Sequence, residues 1–556
     1  MFHKRMTALP LLLFLSAARL FSLHFNDPGD PDILARQIVD GMTDEELAGQ
    51  VLMFGYQETD SNSETLEWIA RRGLGSIKVF GWNGKDITKL ARTVGAFQTT
   101  AGKSRFGIPL FIATDQEGGI VRHITDRTSQ TPGSMSLGAS PLLYDTWMTA
   151  WYIGLELRAL GVNMNFAPVI DIYNNPDGSY IHTRCFSDNP VGTGISGLAF
   201  CRGQEAAGVI STAKHYPGHG NTSVNSHGKL PVIDVTLEEF RSIELVPYKI
   251  LVRENVPAIM VGHISFPRIT GSDIPSSLSS FFITTILKEE LGFKGVVITD
   301  DMTMYGVRAA GGGIPALCVK SIRAGADIVL ISRGDEAMKG VWDMVLKTMK
   351  IDPDFRARVK DAAFRVVRIK LLYLRGDKAV PLIPDPDMAG TSIPADGSGP
   401  FFFDQAARSI TVIRKGRIPL TPQNAGKVLI LSSYKQFLEE GVRRFPGAET
   451  YLFAWEPFKE EQSAAISWLA PRAGRYDTII FCLSSEKDVP ILQSLKSWGS
   501  QVVVISVFSP LSLKRVPWTE TAIAAYSTLK NCLTAGFAVL CGDYEPEGKI
   551  PINLDP

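Results

Sequence analysis

The chain holds 556 residues, 57 of them basic and 57 acidic, with 45% apolar and 21% charged side chains and a formal charge of 0. That length is roughly three to four domains of about 100–200 residues each, of which one α/β barrel can absorb about 250. The even charge balance and ordinary apolar content exclude a polybasic nucleic-acid binder, an acidic tail and a wholly disordered chain.

At the N-terminus His3, Lys4 and Arg5 precede an apolar run from Ala8 to Ala18. A bilayer span needs about 20 apolar residues, so this run reads as a secretory signal over residues 1–22. The mature chain is then expected in the periplasm or outside the cell, with no membrane span. Six cysteines (Cys185, Cys201, Cys318, Cys482, Cys532 and Cys541) are too scattered for a disulfide framework. They read as small core hydrophobes, with Cys185–Cys201 and Cys532–Cys541 left open as pairs.

Thr43-Asp44-Glu45-Glu46 has the spacing of a capping box and opens a helical turn. Eight short apolar runs follow: Val51–Tyr56, Ser76–Phe80, Pro109–Ala113, Asn163–Val169, Gly208–Ala213, Val256–Val261, Gly295–Thr299 and Ala326–Ile331. Stretches such as Leu155–Leu160 and Ala316–Val319 lie between them and suit crossover helices. Buried strands alternating with helices predict a parallel sheet, and eight units over residues 30–380 predict a closed (β/α)8 barrel, with an open doubly wound sheet as the alternative. Asp115, Asp171, Lys214 with His215, His263, Asp300 and Arg333 each fall near the C-terminal end of a different predicted strand. In a barrel those ends converge on one mouth.

Residues 381–400 contain five prolines and three glycines without apolar period, and read as a linker. Beyond it, Val428–Leu431, Thr478–Leu483 and Val502–Ile505 read as buried strands and Ala522–Ala535 as a helix, so residues 401–556 form a smaller α/β sandwich domain. Gly311-Gly312-Gly313 lacks the G-x-G-x-x-G spacing and no phosphate-cradling loop motif is present, so no nucleotide cofactor is expected.

Three of the eight histidines crowd into Lys214-His215-Tyr216-Pro217-Gly218-His219-Gly220 and the following segment to His227. Pro217, Gly218 and Gly220 prevent a regular helix, and no H-E-x-x-H occurs, so a substrate-binding and proton-transfer loop is preferred to a metal site or a purely structural loop. The apolar run Val296-Val297-Ile298-Thr299 ends on Asp300 and Asp301, whose side chains must point apart because strand side chains alternate. One carboxylate can reach the mouth, where it is suited to attack an anomeric carbon, while a histidine serves as acid and then as base.

These segments, with Asp115-Gln116-Glu117-Gly118-Gly119, Ala167-Pro168-Val169-Ile170-Asp171, Ser226-His227 and the closing Gly542-Asp543-Tyr544-Glu545-Pro546-Glu547-Gly548-Lys549-Ile550-Pro551, resemble the two-domain bacterial β-N-acetylhexosaminidases of glycoside hydrolase family 3. The resemblance implies a retaining exo-acting hydrolase of terminal β-linked N-acetylglucosamine, in peptidoglycan or chitin-like fragments, with neither cofactor nor metal. It assigns Asp300 as nucleophile and His227 as acid/base residue. Asp115, Arg184, Lys214 and His215 become sugar-binding residues, as does His263 at a similarly placed strand end, with Asp171 in support. A phosphorylase using the same site and a catalytically weakened glycan-binding protein are the rival readings.

Two positions depart from the family pattern. The aspartate of D-S-H is Asn225 here, so an amide replaces a charge beside His227, and protonation of the leaving oxygen is expected to weaken. In Gly119-Ile120-Val121-Arg122-His123, the arginine of G-G-x-V-x-R is His123, with Arg122 one residue early.

Overall fold

The computed structural model describes residues 23–57, 60, 63–175 and 178–554, so the expected signal at 1–22 lies outside the described residues. Eight parallel strands close into a barrel: β1 (Leu52–Gly55), β2 (Ser76–Lys78), β3 (Phe111–Thr114), β4 (Met164–Asn165), β5 (Ile210–Tyr216), β6 (Ala258–Val261), β7 (Val296–Asp301) and β8 (Ile328–Ile331). Neighbours in the barrel are neighbours in sequence, and β8 pairs with β1 to close it. Each strand falls within or against one of the eight predicted runs.

The differences at strand ends have local causes. β4 keeps only two residues of the expected seven-residue run, because Pro168 has no N–H for a ladder; the chain rejoins the sheet by an isolated bridge from Val169 to Lys214. β5 instead runs on to Tyr216, past a register shift, so Lys214 and His215 stand within a strand. The predicted crossover stretches fall on helices Leu143–Ala159, with Leu160 as its C-cap, and Ile314–Ala324. Thr43 and Glu46 make the reciprocal capping bonds, at 3.2 and 2.8 Å.

The 381–400 stretch connects the barrel to the second domain with helix of its own. It holds a helix, Pro386–Ser392, capped by Asp385, and leads into a second, Ser398–Ser409. Pro386 occupies the first turn, where a missing N–H costs nothing. Ala389 and Ile393 are buried against the barrel, and buried Glu156 accepts from the Ala395 amide at 3.1 Å.

The second domain is built on one six-stranded sheet: β9 (Thr411–Lys415), β10 (Val428–Ser432), β11 (Glu449–Leu452), β12 (Thr478–Leu483), β13 (Val502–Ser506) and β14 (Thr521–Ala524), in the order β9-β14-β13-β12-β10-β11. Only the β9–β14 pair is antiparallel. The helix expected over Ala522–Ala535 is therefore corrected. Thr521–Ala524 pairs on both sides as a strand, and the helix is Lys530–Cys541. Sheet pairing overrides the helix preference of Ala522 and Ala524.

The two domains share an apolar cluster in which Leu511, Ala524, Tyr526 and Ile552 pack on Val169, Tyr173, Ile181 and Cys185. The closing segment clasps them: the Lys549 amide donates to Ala139 O (2.9 Å), and Pro551 O accepts from the Asp188 amide (3.1 Å). All six cysteines are free thiols. Among the described residues, no helix is long and apolar enough to cross a membrane.

Candidate active site

The strand ends supply a chain of alternating charges at the mouth. Lys214 on β5 is 2% exposed, and its ammonium bonds Asp115, just past β3, and Glu117 (2.6 Å). Lys78, at the end of β2 and 1% exposed, takes the other Asp115 oxygen at 2.7 Å. Arg184 binds Glu117 through two parallel bonds of 2.8 Å. Burial alone would raise both carboxyls. Lys214 and Lys78 outweigh it at Asp115, and Arg184 and Lys214 at Glu117, so both lie below the ordinary carboxylate range. Burial opposes the Lys214 charge too, but Asp115 and Glu117 raise it above the ordinary range.

Asp171 orients His215. Its Oδ2 lies 2.7 Å from His215 Nδ1, and its Oδ1 accepts the amides of His215 (3.2 Å) and His219 (2.7 Å). Those bonds and the nearby imidazoles overcome burial and hold the Asp171 carboxyl low. With Nδ1 facing a carboxylate, His215 turns Nε2 toward Arg184, whose Nη2 is 3.4 Å away. Arg184 is thereby committed to Glu117 and held beside His215.

Alternation on β7 separates the two neighbouring aspartates. Asp301 is consumed by the turn that follows: Oδ1 accepts from the amides of Thr303 (3.0 Å) and Ser332 (3.1 Å), and Oδ2 from the Thr303 hydroxyl (2.8 Å). Among the described residues Asp300 receives only the Asp301 amide, on Oδ1 at 2.8 Å, and it keeps partial exposure. Burial pushes its carboxyl up, but His263, His215, the Asp301 amide and Lys214 together hold it below the ordinary range. Asp300 is thus an ionised carboxylate whose second oxygen is uncommitted among the described residues.

His263 lies elsewhere than expected of a sugar ligand. It is 1% exposed, with Nδ1 2.7 Å from Ser277 Oγ and Nε2 3.1 Å from the Asp301 carbonyl. Both nitrogens are occupied within the protein, so it props the β7 end instead of contacting the pocket. Arg333 is exposed.

The loop carrying His227 is fastened at two points. The Thr222 carbonyl accepts from the Tyr180 amide (2.9 Å), and the Ser226 carbonyl accepts from the Gly306 amide (2.9 Å) in the segment after β7. A Cβ at position 306 would meet Ser226 O at 3.1 Å and His263 at 3.0 Å, so glycine permits this close approach. His227 is therefore the neighbour of a residue bonded to the Asp300 side of the mouth. Asn225 Oδ1 accepts the His227 amide (2.9 Å) and faces its Nδ1 (3.0 Å). The backbone donor fixes which end of the amide faces the ring, so Nδ1 carries a proton and Nε2 is left for chemistry.

Lys78, Glu117 and Tyr180 went unassigned in the sequence. Lys78 had a signal, a lone cation in an apolar run, and Glu117 lay inside the quoted motif.

Residues 42–369 match the family model described as "Glycosyl hydrolase family 3 N terminal domain". The chain belongs to glycosyl hydrolase family 3. Beta-hexosaminidase A of Pseudoalteromonas piscicida is 36% identical over 332 residues, covering 55% of each chain, so this chain matches about half the length of that relative. A beta-hexosaminidase of Stenotrophomonas maltophilia is 30% identical over 54% of this chain and 89% of its own. Among solved structures, a family 3 β-N-acetylglucosaminidase from Paenibacillus sp. str. FPU-7 superposes with TM-score 0.81 at 27% identity, covering 92% of this chain and 99% of that one. The likeness to the Paenibacillus structure extends across both domains, so this family 3 chain shares the two-domain arrangement as well as the barrel.

Proposed function

We propose that the chain is an exported retaining β-N-acetylglucosaminidase that removes a terminal β-linked sugar from peptidoglycan or chitin-like fragments. The observation that carries the reading is the division of labour on β7, where Asp301 closes the turn and Asp300 stays ionised with a free oxygen. The relatives named beta-hexosaminidase support the sugar, and the basic-then-apolar N-terminus supports export to the periplasm or beyond.

The cycle follows from the groups present. Asp115, Lys214, His215 and Arg184 hold the sugar. The free Asp300 oxygen forms a bond to the anomeric carbon as the glycosidic bond breaks, and His227 Nε2–H gives its proton to the departing oxygen. His227 then takes a proton from water, which adds to the anomeric carbon and releases Asp300. Two inversions at one carbon retain the β configuration.

Release of p-nitrophenol from β-GlcNAc and β-glucose substrates, with and without phosphate, tests this. Faster turnover of the GlcNAc substrate, unchanged by phosphate, is expected. Phosphate-dependent turnover would make the protein a phosphorylase, and sugar binding without turnover a glycan-binding protein.

A further inference from the structure

The position where the family pattern has arginine holds His123, which lies beside Asp115 and Lys78 at the strand ends. His123 follows a hairpin of Gln116–Gly118 and Val121–Arg122, and its amide donates to the Asp115 carbonyl (3.0 Å), which lays the ring beside the Asp115 carboxylate. Its Nδ1 is 3.7 Å from Asp115 Oδ2 and 3.2 Å from Lys78 Nζ. Arg122 turns away, donating to the carbonyls of Thr128 (3.3 Å) and Ser129 (3.0 Å). The side chain at the mouth is therefore His123.

Its hydrogen-bonding state follows from its partners. Lys78 also bonds Asp115 (2.7 Å) and the Val79 carbonyl (2.9 Å), as an ammonium with donors and no acceptor does. Lys78 Nζ (3.2 Å) lies nearer to Nδ1 than the Val79 carbonyl does (3.4 Å), so Nδ1 accepts from the ammonium and the ring proton sits on Nε2. Burial and the neighbouring Lys78 agree, lowering the imidazole to about 4 and leaving it neutral at physiological pH. Among the described residues nothing accepts from Nε2, and the side chain keeps 26% exposure. A neutral N–H donor thus lies partly exposed next to a carboxylate.

A rigid wall stands beside it. Phe80 lies 5.6 Å from the His123 ring and stacks on Trp82 at 4.6 Å and 8°. Trp82 Nε1 and Asn83 Nδ2 both bond the Tyr56 carbonyl, at 2.9 and 3.1 Å, and Asn83 Oδ1 takes the Phe80 amide (2.8 Å). A Cβ at Gly84 would lie 2.5 Å from the His123 carbonyl, so the wall and the His123 strand touch backbone to backbone.

β3 and β7 are four places apart in an eight-strand ring, and so face each other across the mouth. A pyranose with its anomeric carbon at Asp300 directs the opposite ring carbon, C4, to Asp115 and His123. We infer that His123 is a specificity-determining residue: its Nε2–H donates to the C4 hydroxyl of the terminal sugar, whose proton Asp115 accepts, while the Phe80–Trp82 wall blocks any further sugar beyond that hydroxyl. This rests on the reading of the pocket as a β-GlcNAc site.

The test pairs two variants with two substrates. His123→Phe keeps a ring against Phe80 but has no donor; His123→Gln keeps an N–H at similar reach. With p-nitrophenyl β-GlcNAc, His123→Phe is expected to lower kcat/KM about tenfold, chiefly through KM, as loss of one neutral hydrogen bond does. With the 4-deoxy substrate the two proteins should differ by less than about twofold, and His123→Gln should restore most of the loss. Equal losses on both substrates, or a loss that tracks a 6-deoxy substrate instead, would overturn the assignment. Calorimetric binding of free GlcNAc and its 4-deoxy form makes the comparison without turnover. Wild-type protein that binds but does not hydrolyse, with the C4 preference erased in His123→Phe, would keep this inference and remove the hydrolase reading. Wild-type protein that binds neither sugar would remove both.

Discussion

Asn225→Asp adds one charge to a hydrogen bond that already exists. In the wild-type loop the amide oxygen sits 3.0 Å from His227 Nδ1 and 2.9 Å from the His227 amide, so a carboxylate can take the same place without moving the backbone. With the charges centred about 4 Å apart, attraction is roughly 1 kcal/mol in water and about 4 kcal/mol at an effective dielectric of 20. Both residues are exposed, which favours the lower figure. About 1 kcal/mol in favour of the imidazolium is roughly fivefold in the protonated fraction on the alkaline side, and moves the alkaline limb of the kcat/KM profile up by about 0.7 pH unit. The assay is p-nitrophenyl β-GlcNAc hydrolysis from pH 5 to 9 for both proteins. A limb that stays in place, or moves down, would show that Asn225 does not weaken the acid by withholding a charge.

Three further outcomes follow from the same contacts. Asp301→Ala leaves the amides of Thr303 and Ser332 without their acceptor and should cost about 2–4 kcal/mol in chemical denaturation, whereas Asp300→Ala should abolish turnover with a far smaller stability change; the reverse pattern would exchange their roles. Asp115 and Glu117 lie below their ordinary values when folded, so the unfolded chain binds protons more readily than the native one. Their contribution is complete above the unfolded values near pH 4 and is lost as pH falls through the folded ones, so Tm by calorimetry should hold near pH 6 and drop steeply below about pH 4. Leu511→Ala empties part of the inter-domain cluster against Ile181, three residues before Arg184, and should cost about 2–3 kcal/mol while raising KM; a loss of stability with KM unchanged would confine the second domain to a scaffolding role.

The barrel was legible because its strands are continuous apolar runs, buried on both faces, whose polar residues collect at one end. Where a strand was mistaken, the cause was non-local. Ala522 and Ala524 favour helix in isolation but lie between two partners in the sheet, and β9 and β11 carry too few buried residues to show as runs. The helix inside the linker was not legible, because proline and glycine mark a connection while Asp385 and Pro386 also mark a helix start. At the site, the apolar runs brought Lys214, His215 and the Asp300–Asp301 pair to strand ends, and the family resemblance chose Asp300, but neither says anything of direction. Only folding shows that His263 is spent on Ser277 and Asp301, that Lys78 crosses from β2 to share Asp115, and that His123 takes the mouth while Arg122 turns back.

In the proposed cycle Asp300 becomes covalently bonded to the sugar. Incubation with a slow-turnover fluorinated N-acetylglucosaminyl probe, followed by intact-protein mass spectrometry and peptide mapping, measures it directly. One added sugar is expected, on the peptide holding Val296–Asp301 and at Asp300, absent from Asp300→Asn. An unmodified protein that still hydrolyses substrate, or a label on any other residue, would contradict it.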